Sequence, residues 1–242
     1  MFHFLLTPIV TYNFVLVAAA VIPAVALMIM VYKADKLEKE SAGLLWRLVR
    51  GGILSALLAS VEEYVAVKIL GHFVPENTVL YNIILYFLIV AVAEESSKYL
   101  LLKKNSWTSR EFNGQFDGVV YATFVSLGFA LWENISYVMS YGFSVAVVRA
   151  LTAIPGHACF GVFMGVFYGA AKKYSNRGHE TVSKICRFFA LLFPVLLHGL
   201  YDYIATTDAS GGNISFTGFV AAMFIVSFIV VKRASKNDRY IA

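Results

Sequence analysis

The sequence predicts an all-α fold, a polytopic transmembrane helical bundle with about seven spans, and three observations carry that prediction. Of 242 residues, 59% are hydrophobic and only 14% charged, and the mean hydropathy is +0.71, outside the usual range of a soluble domain. Apolar runs long enough to cross a bilayer recur near 12–32, 46–70, 79–102, 116–139, 145–171, 185–205 and 214–231. The connections between these runs alternate in charge: 71–78, 140–144 and 206–213 contain no Lys or Arg, whereas the others are basic. The positive-inside rule then sets the N-terminus outside and the C-terminus in the cytoplasm, in a multi-pass protein of the cell membrane. Topology therefore accounts for the formal net charge of +5, and no nucleic-acid partner is expected.

The first span lacks a basic segment before it and a small-residue cleavage motif after it, so it reads as a retained helix. Its exit, with Lys33, Lys36 and Lys39, leads through a mixed-charge connection into the second span near Trp46. That second span carries Glu62 and Glu63, and the third carries Glu94, Glu95 and Lys98 towards its cytoplasmic half before Lys103, Lys104 and Arg110 follow. The fourth reads GFALWENISYV over 128–138. In the fifth, Pro155 precedes Gly156 and His157, where a kink would make room beside an imidazole. Gly161, Gly165 and Gly169 then repeat at four-residue spacing, the mark of a close helix–helix seam. The sixth holds Pro194, His198 and Asp202, and the seventh ends at Lys232 and Arg233. Cys159 and Cys186 lack metal-ligand spacing and read as unpaired thiols. No long polar segment interrupts the runs, so residues 1–242 form a single integral membrane domain whose chemistry must occur in or at the bilayer.

A bilayer makes stray charges costly, so ionisable clusters inside apolar runs point to a buried polar site. Glu94 and Lys98 share a helix face, while Glu95 points about 100° away. One carboxylate can thus be held by Lys98 while its neighbour activates water. Glu133 lies beside Asn134, with Tyr137 close by, and Asp202 is four residues from His198, placed to orient its imidazole. Blander readings exist for each: an intramembrane salt bridge, a polar bridge between helices, a satisfied histidine. Arg149 either balances an acid or reaches the headgroups. The spans offset Glu94 and Glu133 in depth, so their clusters merge only if tilt or kinks reduce that offset.

Two hydrolytic chemistries suit these residues. In one, a glutamate takes a proton from water and histidine or asparagine donors stabilise the oxyanion. In the other, His157, His198 and a glutamate bind zinc. No HExxH motif marks the second, so the simpler expectation is metal-independent hydrolysis with no cofactor and no metal ligands assigned, zinc remaining open. Rival readings of the same groups are a proton-coupled transporter and a non-enzymatic membrane assembly protein.

AEESSKYL at 93–100, GFALWENISY at 128–137, the helix of His157 and HGLYDY at 198–203 together resemble the PrsW family of intramembrane proteases, distantly related to CAAX-processing and bacteriocin-processing membrane peptidases. The polar run YKADKLEKESAG at 32–43 is similar to the connection after that family's first helix. The resemblance implies an intramembrane endopeptidase with Glu94, Glu95, Glu133, His157 and His198 in the catalytic site, supported by Lys98, Asn134 and Asp202. It further implies metal-independent cleavage of a membrane-anchored protein, of which an anti-sigma factor is the family's named case.

Overall fold

The computed structural model describes residues 2–76, 78–207 and 214–241, with side chains described for 14–76, 78–206 and 215–241. Every extended element in these ranges is helical: α1 (Phe2–Ala34), α2 (Ala42–Phe73), α3 (Val79–Ile83), a π-helical segment (Ile84–Val90), α4 (Ala91–Ser106), α5 (Asp117–Tyr141), α6 (Phe143–Leu151), α7 (Ala153–Asn176), α8 (Glu180–Thr207) and α9 (Ile214–Lys236). Chain continuity joins α3, the π segment and α4 into one rod and α6 with α7 into another, giving seven long helical units. Six are long and apolar enough to span a membrane, and the protein is a multi-pass membrane protein. The remaining unit, α2, has the length and carries Arg47, Arg50, Glu62, Glu63 and Lys68 along it. The expected flexible connection at 206–213 lies, beyond Thr207, outside the described residues.

The expected kink at Pro155 takes another form. The fifth unit breaks at Thr152, whose backbone leaves helical geometry between α6 and α7. Pro155 is the third residue of α7, within the first turn, where a missing N–H sacrifices no intrahelical bond. Pro194 lies inside α8.

Glycines set how closely the core helices approach. A Cβ at Gly165 on α7 would stand 2.4 Å from Val119 Cα and 2.5 Å from Gly118 O on α5, and one at Gly169 would stand 2.1 Å from Gln115 O. The predicted seam is therefore a backbone-to-backbone contact. On another face α5 meets α2 in the same way, a Cβ at Gly52 falling 2.1 Å from Val125 O. Held between two such seams, α5 is the most buried of the spans, and the main apolar core gathers around Val119, Val120, Tyr121, Val125 and Leu127.

At the lysine-rich end of the bundle, Ser41 caps α2 by accepting from Leu44 N, while its own N–H donates to Glu111 Oε2 at 2.7 Å. Glu40 beside it is buried. Burial pushes its carboxyl up to about 8, and the charges of Asp117, Glu111 and Asp35 act in the same direction.

Two outcomes follow from this packing. Gly165→Ala is expected to force α5 and α7 apart and lower stability by about 1–3 kcal/mol, whereas Gly218→Ala, with nothing within 4 Å of the added carbon, is expected to cost nothing; thermal unfolding in detergent compares them. Glu40 holds its proton more tightly when folded than unfolded, so its contribution is full below about pH 4 and is lost as pH rises towards 8. The Tm of Glu40→Gln relative to wild type is therefore expected to rise between pH 5 and 8, and a difference independent of pH would refute this assignment.

Candidate active site

The ionisable groups of four helices meet at one buried point. Lys98 on α4 is fully buried, and its ammonium donates to Glu94 Oε2 at 2.9 Å and Glu95 Oε1 at 2.8 Å. It also lies 3.2 Å from His157 Nδ1 on α7. Helical geometry alone places Lys98 over both carboxylates, one at i−4 and one at i−3, so both acids pair with the lysine instead of one being left free. His198 on α8 completes the cluster, its Nδ1 standing 2.9 Å from Glu95 Oε1 and its Nε2 3.8 Å from Glu94 Oε2. Asp202, one turn further along α8, faces His198 Nε2 at 3.4 Å.

The offset between Glu94 and Glu133 closes through His157. Its Nε2 lies 2.8 Å from Glu133 Oε2 on α5, while its Nδ1 faces Lys98. An ammonium can only donate, so Nδ1 accepts and Nε2–H donates to Glu133. Glu133 thus fixes the ring with a lone pair turned towards the acidic pair, the relation that orients metal-binding histidines.

Asn134 points away from this cluster. Its amide donates to Ala20 O of α1 at 3.0 Å, and its oxygen accepts from Arg149 Nε at 3.0 Å. It reaches the site through Arg149, whose Nη2 pairs with Glu133 Oε2 at 2.9 Å and whose guanidinium covers Tyr137. Arg149 is therefore turned inward to balance an acid. Glu62 is exposed, while Glu63 is partly buried and lies near enough to interact with the charges of Glu94 and Glu133.

Two aromatic rings that the sequence reading did not single out wall the cluster. Phe160 stacks on His198 with ring centroids 4.8 Å apart, and Phe129 lies 3.8 Å from the Lys98 ammonium. Both carried a positional signal, because Phe160 is three residues from His157 and Phe129 four from Glu133, on the same helix faces. Gly199 lets α8 close on this site, since a Cβ there would meet Phe87 of the π segment at 2.6 Å. Such wide turns recur at functional sites.

Glu94, Glu95 and His157 each present a ligand atom, all within 4.8 Å of one another. Two carboxylate oxygens and an imidazole nitrogen are a donor set of the kind that binds catalytic zinc. Glu95 Oε2 is buried without a hydrogen-bond partner, and the Lys98 ammonium already shows that the pocket receives a cation. The residues fit a divalent ion.

Comparison with known proteins agrees. The family described as PrsW family intramembrane metalloprotease matches residues 40–231. The chain is similar to Protease PrsW of Oceanobacillus iheyensis, 32% identical over 222 residues, covering 92% of this chain and 97% of that protein. It is likewise similar to Protease PrsW of Bacillus subtilis, 32% identical over 193 residues with 80% and 84% covered, and to that of Clostridioides difficile, 29% identical with 76% of each covered. No solved structure matches the chain. The expectation of metal independence is overturned, both by the metalloprotease family and by the three convergent ligands. Sequence reading missed this set because the ligands come from an adjacent acidic pair and a distant helix, with no HExxH spacing to mark them.

Removing the internal cation should expose this ligand set. Lys98→Met takes the ammonium from two buried carboxylates, leaving His198 as their remaining partner, and is expected to cost the metal-free protein about 3–5 kcal/mol. Added zinc is expected to restore most of that loss in a thermal unfolding assay; an equal loss with and without zinc would count against the metal assignment.

Proposed function

Because this chain belongs to the PrsW family of intramembrane metalloproteases, we propose that it hydrolyses a peptide bond in a membrane-anchored protein at the cluster of Glu94, Glu95, His157 and His198. The observation that carries this reading is the convergence of two carboxylates and two imidazoles at one buried point in an apolar bundle. Glu94, Glu95 and His157 would hold the divalent ion, which when bound acidifies a water and polarises a carbonyl.

The chain's own residues supply the rest. The Glu94 side chain is 8% exposed against 0% for Glu95, so water reaches the cluster on the Glu94 side. His198, between Glu94 and Asp202, takes the proton of that water and hands it to the leaving amine as the C–N bond breaks. Glu133 holds His157 in its working tautomer, with Arg149 and Asn134 steadying Glu133. Phe129 and Phe160 exclude bulk water and strengthen these electrostatic interactions.

The connection at 142 between α5 and α6 is a single residue, and five residues join α2 to α3. Such short connections suit a flexible juxtamembrane segment that enters laterally, not an intact folded domain. The substrate class is a membrane-anchored protein, with an anti-sigma factor as the candidate that the family resemblance suggests. The N-terminus faces outside and the C-terminus the cytoplasm, a topology supported by the basic residues at the ends of α1, α4, α7 and α9.

The test compares membrane-protein fragments from cells carrying wild type, Glu94→Gln and His198→Ala at matched expression, repeated with purified protein with and without a chelator. Fragments are expected to fall by about 10²-fold or more in each variant and on chelation. Fragments unchanged in all three would remove the protease reading in favour of transport or structural assembly.

A further inference from the structure

A second convergence of acidic groups lies at the lysine-rich end of the bundle, away from the proposed proteolytic site. Asp35 follows the end of α1, Asp117 opens α5, and Asp238 follows α9. Each presents a carboxylate oxygen, all within 4.8 Å of one another. Asp35 is 2% exposed and Asp117 3%. Unlike the acids around Lys98, none of the three forms a salt bridge with a lysine or arginine among the described residues. The nearby Lys39 ammonium instead donates to the main-chain oxygens of Tyr32 and Asp35.

The carboxylates are oriented by the backbone. Asp35 Oδ1 accepts from Leu37 N, Asp117 Oδ2 from Asn113 N and Gly114 N, and Asp238 Oδ1 from Phe116 N and Arg239 N. The second oxygens of Asp35 and Asp238 are buried with no hydrogen-bond partner. A buried acid in that state must take a proton or find a cation. Oxygens bound to calcium at 2.3–2.6 Å can lie up to about 5 Å apart across the ion, which agrees with the observed spacing. An all-oxygen donor set selects a hard cation over zinc.

We propose that Asp35, Asp117 and Asp238 form a binding site for a hard divalent cation of the calcium or magnesium kind, which fastens the C-terminal tail to the ends of α1 and α5. The tail already lies along this surface: Ile241 N donates to Asn113 O at 2.7 Å, Gln115 N to Arg239 O at 3.1 Å, and Asn176 Nδ2 to Ile241 O at 2.6 Å. These bonds tie the tail to the segment before α5 and to α7, and the ion adds the end of α1 through Asp35.

The test titrates calcium and magnesium separately into the purified full chain in detergent, measuring heat, Tm and trypsin cleavage of the tail. Wild type is expected to bind one equivalent that Asp238→Asn and Asp117→Asn lack, to gain a few degrees in Tm, and to lose tail cleavage several-fold. Glu95→Gln is expected to keep this equivalent, so the outcome is independent of the proteolytic site. Binding that is the same in wild type and both Asp variants, or tail cleavage in wild type indifferent to both ions, overturns the proposal.

Discussion

The ammonium of Lys98 is the interaction on which the membrane core depends. Two adjacent glutamates cannot both remain ionised in an apolar bundle without a counter-charge, because the idealised cost of burying each ion is of order 20 kcal/mol and the effective cost is still several. Lys98 meets both carboxylates and the free nitrogen of His157 at once. Around it the second layer is arranged by necessity: Glu133 must accept from His157, Arg149 must balance Glu133, and Asn134 must hold Arg149. The polar network runs from α4 through α7 and α5 to α6, and ends on a main-chain oxygen of α1.

Such a network needs helices that cannot slide. The seams of α5 with α2 and α7 bring main chains together at distances that no larger residue permits, and these contacts fix the positions of Glu133 and His157 relative to each other. Charge and packing therefore constrain the same helices from opposite sides. The glycines exclude side chains where backbones meet, and the polar groups fill the space that opens further along.

Much of this was legible in the sequence. The loop charges and apolar runs define a helical bundle, and costly ions within those runs single out Glu94, Glu95, Lys98, Glu133, His157 and His198, which the structure brings together. Glycine spacing on the fifth unit marks the α5–α7 seam. Other features depend on rotation or on partners distant in sequence. Helical phase suggests that Glu95 diverges from Glu94, yet a long lysine side chain reaches both. Asn134 sits beside Glu133 in sequence but on another helix face, so it binds α1. The break at Thr152 carries no strong sequence mark, and Pro155 appeared to be a kink when it lies in an opening turn. Metal independence followed from the missing HExxH spacing, which is a property of one kind of helix and not of every metal-binding site.

The π-helical segment Ile84–Val90 separates two different surfaces of one rod. None of its seven residues is buried, whereas α4 directly after it buries nine side chains, the acidic pair among them. A wide turn accommodates about one residue more than an α-turn, so it resets the angular phase between the part-buried stretch and the buried stretch that follows it. On that stretch Phe87 is fixed by its fit against Gly199, while Leu88 alone is exposed. Its length is what matters to the site: this part of the chain works as a spacer counted in residues, and adding or removing one would rotate Glu94, Glu95 and Lys98 together away from His157 and His198.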